Sequence, residues 1–129
     1  MSIAGLRLLI LEDEPILGLD LEDIIAEAGG TSIYAERVEE ALDLIAAESF
    51  DAAILDVNVH GRTSYPVADL LQRLGLPFIF ATGYGDALHP ENFAGVPTVI
   101  KPYATTDLER ALEQEILTRK SDPPPAVGS

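Results

Sequence analysis

The chain has no cysteine and no tryptophan, a single methionine, and only two lysines, Lys101 and Lys120. Without cysteine there is no disulfide, no thiolate-held metal and no thiol nucleophile. Basic residues are scarce: 8 Lys plus Arg stand against 22 Asp plus Glu, a formal charge of −14. So acidic a surface disfavours contact with a nucleic-acid backbone or an anionic membrane. No apolar run approaches the roughly 18 residues of a membrane span. The N-terminal apolar stretch, about six residues before three acids, is too short for a signal peptide. A cytoplasmic protein with no nucleic-acid or membrane partner is therefore expected. The nucleotide fingerprints GxGxxG and GxxxxGK[ST] are both absent, and Gly83-Tyr84-Gly85 is no substitute for either. No serine sits in a GxSxG turn. His60 and His89 lie far apart in polar loops, without zinc-site spacing, and read as surface histidines.

Four short apolar runs, each ending in a residue suited to phosphate chemistry, are what the chain does have. Leu8–Leu11 runs into Glu12, Asp13 and Glu14; Ala52–Leu55 into Asp56; Phe78–Ala81 into Thr82; Thr98–Ile100 into Lys101. Runs without polar alternation read as strands of a parallel sheet covered on both faces. Such sheets bind ligands beyond the carboxyl ends of their strands, where the strand order reverses. Carboxylates, a hydroxyl and an ammonium are thus delivered to one edge.

Helical patterns alternate with these runs. Pro15 suits the first position of a helix carrying Leu17, Leu21, Ile24, Ile25 and Ala28, which Gly29 can end. A strand near Thr31–Ala35 precedes a helix marked by Val38, Ala41, Leu42 and Ile45. Val57–Ser64 reads as a loop before a helix over Tyr65–Leu74, ended by Gly75. Glycines and Pro90 make Gly83–Gly95 a poor helix. A strand over Val96–Ile100 leads to a last helix over Thr105–Thr118, with Thr106 and Glu109 at capping-box spacing. The expected fold is a single α/β domain: a doubly wound five-stranded parallel sheet in the order 2-1-3-4-5. The domain covers residues 5–119, and residues 120–129 form a disordered tail rich in proline.

Neighbouring strands lie about 4.8 Å apart, so Glu12, Asp13 and Asp56 should converge. Two carboxylates about 4 Å apart repel by roughly 4 kcal/mol at an effective dielectric near 20. A hard divalent cation relieves this, and Mg²⁺ favours one or two carboxylates with water and phosphate oxygens. Glu14, next to Pro15, only favours the helix N-terminus, and Asp51 precedes its strand and belongs to the opposite edge. The Lys101 ammonium can bond a phosphoryl oxygen as a mobile point charge, and the Thr82 hydroxyl can donate to another.

The acidic pair, the aspartate, the threonine and Lys101-Pro102, each after its own apolar run in this order, resemble the receiver domain of two-component response regulators. The resemblance implies Asp56 as phosphoacceptor. It implies Mg²⁺ held by Asp13, Asp56 and the backbone carbonyl of Asn58, with Glu12 acting through water. Thr82 and Lys101 would contact the phosphoryl oxygens, and Lys101–Pro102 would be a cis peptide. Pro77–Tyr84, PFIFATGY, is similar to the PFxFATGY signature of the FAT GUY subfamily of stand-alone receivers. Two positions depart from the usual pattern. Thr98 stands where receivers carry a switch aromatic, and His60 where they carry a proline.

The function implied is that of a single-domain response regulator. A histidine kinase or phosphotransfer protein donates the phosphoryl group, and output is by protein–protein interaction or as a phosphate sink. No enzyme activity beyond self-phosphorylation and self-dephosphorylation is expected. Tyr84 and the Gly83–Gly95 segment are expected to replace the missing aromatic switch. A small Mg²⁺-dependent phosphatase is the competing enzyme class, but Asn58 stands where its second acid would be. A receiver that binds partners without phosphorylation is the third reading.

Overall fold

The computed structural model of the chain describes residues 3–83, 90–101 and 104–121. In order these form β1 (Arg7–Leu11), α1 (Pro15–Glu27), β2 (Thr31–Ala35), α2 (Val38–Ala47), β3 (Ala52–Leu55), β4 (Asn58–Val59), β5 (Arg62–Thr63), α3 (Tyr65–Arg73), β6 (Phe78–Thr82), a 3₁₀ turn (Glu91–Phe93), β7 (Thr98–Ile100) and α4 (Thr105–Ser121). The main sheet has five strands in the order β2-β1-β3-β6-β7, every neighbouring pair parallel. With the small β4–β5 hairpin set aside, this is the expected order 2-1-3-4-5.

The strands lack alternation because both sheet faces are covered. Leu9, Leu11, Leu55, Phe78 and Phe80 pack against Val38 and Ala41 of α2 and Val67 and Leu71 of α3. Leu8, Ile10, Ile54 and Ile79 pack against Leu21 and Ile25 of α1 and Leu108, Leu112 and Ile116 of α4. Each aliphatic side chain fully buried in these layers contributes about 1.5–3 kcal/mol of transfer free energy. The aromatic mass is concentrated on the first face. Tyr65 stacks on Phe93 at 5.3 Å, and Phe80 meets both edge-on at 6.0 Å.

Helix ends follow local chemistry. Pro15 opens α1, where a missing N–H costs nothing. Gly29 closes it at φ +90°: its amide reaches Ala26 and that of Gly30 reaches Ile25, the paired bonds of a Schellman motif. Gly75 repeats the motif after α3 at φ +71°, its amide bonded to Gln72 and that of Leu76 to Leu71.

The structure corrects three local expectations. Val57–Ser64 is no plain loop: Asn58 pairs with Thr63 and Val59 with Arg62 in an antiparallel hairpin. Its tip, His60-Gly61, takes φ +50° and +79°. Two left-handed central residues are what a two-residue type I′ turn demands, because its twist matches the strands. Thr106 does not cap α4. The Ala104 carbonyl accepts from the amides of Asp107 and Leu108, so the cap lies two residues earlier. Finally, α4 runs on to Ser121, into the segment expected to be disordered. The rest of that tail, Pro102 with its expected cis peptide, and residues 84–89 of the weak-helix segment, Tyr84 and His89 among them, lie outside the described residues. The described part of that segment contains only the turn Glu91–Phe93.

Candidate functional site

Register brings the four strand ends together. Leu11 is level with Leu55, and Leu55 with Phe80, so Glu12 and Asp56 emerge side by side at the point where the strand order reverses. Ladder bonds continue to the brink: the Glu12 amide donates to Ala35 O and the Asp56 amide to Leu11 O. Thr82, the last residue of β6, accepts the Lys101 amide at 2.8 Å on its carbonyl. The hydroxyl and the ammonium are thereby locked to adjacent strands.

Asp56 is 6% exposed and bonded on both oxygens. Thr82 Oγ1 donates to Oδ1 at 3.1 Å, and Lys101 Nζ to Oδ2 at 3.0 Å. Lys101 also donates to Glu12 Oε1 at 2.7 Å, while the Glu14 amide reaches Glu12 Oε2 at 3.2 Å. Oxygens of Glu12, Asp13 and Asp56 all lie within 4.8 Å of one another. Three carboxylates against the Lys101 ammonium, which is bonded to Glu12 and Asp56, leave two uncompensated negative charges when all are ionised.

The environment separates the titrations. Burial pushes the Glu12 carboxyl up to about 7; the Lys101 bond opposes this and the Asp56 charge adds to it. Asp13 moves the other way: burial works against its charge, but the His60 amide and further bonds outweigh it and hold its pKa below the ordinary value. Lys101 is held above its ordinary value, because bonds to Glu12 and Asp56 overcome the cost of burial. Burial thus makes Glu12 resist ionisation, while the bonds to Asp13 favour its charged form.

The donor set fits a hard divalent cation: clustered carboxylate oxygens, one of them low in pKa, with surplus negative charge and no sulfur. Asn58 lies two residues after Asp56 on β4, with its side chain exposed. Thus Glu12, Asp13, Asp56, Thr82 and Lys101 converge as expected. Lys101 and Glu12 were expected at one edge, but the direct bond between them, across 89 positions, was not. Nor was the His60 amide, which donates to Asp13 Oδ2 at 3.0 Å. His60-Gly61 is the sequence signal for that turn, although Asn-Gly or Asp-Gly would have been stronger. A proline at 60 could neither adopt φ +50° nor supply the N–H.

An open parallel sheet with paired acids after β1, an aspartate after β3, a threonine ending β6 and a lysine after β7 defines the CheY-like receiver class. No protein-family model matches the chain. It is 36% identical to SdrG of Sphingomonas melonis Fr1, covering 91% of this chain and 99% of that one, with a TM-score of 0.79. It is 25% identical to the REC domain of the Erythrobacter litoralis response regulator PhyR, covering 97% and 98%, with a TM-score of 0.76. The curated LytR sensory transduction protein of Staphylococcus haemolyticus is 25% identical over 114 residues, 84% of this chain and 44% of LytR. The chain spans about half the length of the curated relatives it matches. The chain belongs to the receiver-domain family of response regulators.

Proposed function

We propose that the chain accepts a phosphoryl group on Asp56 in two-component signalling, from a phosphohistidine of a kinase or phosphotransfer protein. The observation that carries this is the double engagement of Asp56, with a hydroxyl on one oxygen and an ammonium on the other. A carboxylate oxygen of Asp56 attacks phosphorus. The P–N bond breaks, its electron pair stays on the donor imidazole, and an acyl phosphate forms. Lys101 and Thr82, already at the carboxylate, turn to the incoming phosphoryl oxygens, where charge accumulates in transfer. Mg²⁺ bound by Asp13, Asp56 and the Asn58 carbonyl, with Glu12 acting through water, would neutralise that charge and relieve the carboxylate repulsion.

The acyl phosphate adds about −1.5 to −2 charges. Output from this chain is a protein contact or the draining of a kinase; the balance of acidic over basic residues supports neither nucleic acid nor membrane as partner. Among the described residues no helix is long and apolar enough to cross a membrane. PFIFATGY supports placing the chain within the FAT GUY subfamily. The test is transfer of labelled phosphate from a phosphorylated kinase. Wild type should become labelled and Asp56→Asn should not; equal labelling would remove Asp56 from its role.

A further inference from the structure

Resting on that reading, we propose that the main-chain amide of His60 is a positioning group for Asp13, held over the acidic cluster by the β4–β5 hairpin. His60 N lies 3.0 Å from Asp13 Oδ2, across 47 positions of sequence. A carboxylate has two oxygens, so fixing one sets the plane in which the other meets a cation. Metal-ligating carboxylates depend on such outer hydrogen bonds, and losing one costs about 10–100-fold in metal affinity.

The hairpin is built to hold that donor still. Val59, one residue before the amide, is 1% exposed and packs into the core under α2 and α3. On the other strand Arg62 forms an ion pair with Glu39 of α2. The Ser64 amide then donates to Val57 O at 2.8 Å, closing the base of the hairpin. Between these anchors His60 takes φ +50°, a left-handed conformation unfavourable for a residue with a Cβ. That conformation belongs to the turn whose amide meets Asp13. The imidazole is not required: any residue that accepts this φ and keeps its N–H would serve.

The test is Mg²⁺ titration calorimetry on the full, unphosphorylated chain, with thermal unfolding as a check on the fold. His60→Pro, which removes the N–H and forbids the turn, should weaken Mg²⁺ binding by about tenfold or more. His60→Gly, which keeps the N–H and favours the turn, should stay within about threefold of wild type. Should His60→Pro fail to fold, Gly61→Ala serves in its place. A Cβ at Gly61 meets nothing within 4 Å, so its only effect is to disfavour φ +79°; Mg²⁺ binding should again weaken.

A folded His60→Pro with wild-type affinity would overturn the inference. So would His60→Gly losing as much as His60→Pro, which would assign the effect to the imidazole, or an unchanged Gly61→Ala. Wild type that binds no Mg²⁺ would instead overturn the metal reading of the site, and this inference with it.

Discussion

The hydroxyl of Thr82 donates to Asp56 Oδ1 at 3.1 Å, although the two residues close different strands 26 positions apart. Thr82 is fully buried. Among the described residues its hydroxyl bonds one atom, an oxygen of the carboxylate on which the proposed chemistry turns. Thr82→Ala should cost about 1 kcal/mol of stability, the net value of one hydrogen bond. It should also slow phosphotransfer to Asp56 while leaving some labelling. Urea unfolding and timed phosphotransfer would check the two parts. Wild-type transfer rates in Thr82→Ala would take Thr82 out of the mechanism.

Asp56→Asn should lose all phosphotransfer and keep the fold. The amide can still accept from Thr82 or Lys101 on its oxygen, but it offers no carboxylate nucleophile. The check combines Phos-tag gels with circular dichroism. A folded variant that still takes label would point to another acceptor.

Lys101 bridges Glu12 and Asp56 at 2.7 and 3.0 Å, with its side chain 16% exposed. Lys101→Met would leave buried carboxylates without their cation, a loss of about 3 kcal/mol for a largely buried pair. Mg²⁺ should restore part of it, and low pH should as well, since both lower the charge of the cluster. Urea melts at neutral and acidic pH, with EDTA or Mg²⁺, would read this. Stability unchanged by the substitution in EDTA would contradict it.

Glu12 also gives a pH dependence with a definite sign. Burial raises its folded pKa from 4.5 to about 7. Between those values the folded chain keeps a proton that the unfolded chain has lost. The stability from the protonated carboxyl is complete below about pH 4.5 and is lost as pH rises through about 7. Glu12→Gln lacks this loss. In EDTA it should therefore gain on wild type across that window, by on the order of 3 kcal/mol. Stability curves that stay parallel from pH 4.5 to 8 would show Glu12 to titrate normally.

Away from the site, the ring of Tyr34 lies against Gly18 of α1, where an added Cβ would come within 2.6 Å of it. Gly18→Ala should cost about 1–3 kcal/mol through overpacking, despite the better helix propensity of alanine. The Tyr34 hydroxyl is buried and has no hydrogen-bond partner among the described residues. Burial, with nearby carboxylates from Glu36 and Glu12 onward, pushes its pKa up to about 12. Tyr34→Phe should then leave stability unchanged or raise it by up to about 1 kcal/mol. A melting temperature well below wild type would indicate a bond that this hydroxyl makes in solution.

The chain's own residues determined a good deal without reference to any partner in space. Apolar runs such as Ala52–Leu55 specified strands buried on both faces, because a run without alternation has no solvent side to offer. Pro15, Gly29 and Gly75 specified where helices start and stop, because φ limits are properties of single residues. The convergence of the strand-end residues was legible too, since each strand brings its last residue to the same edge. Contacts between those ends were decided only by the tertiary structure. Lys101 could have faced a phosphoryl group alone; the register of β1, β3, β6 and β7 sets it between Glu12 and Asp56 as well. The His60 amide could not be read from side-chain chemistry, because the donor is main chain and its aim depends on a turn pinned by Val59 and Arg62. Sequence assigns what each strand end carries. Distance and burial, which arise only when the sheet closes, decide that Glu12 resists ionisation while Asp13 accepts it.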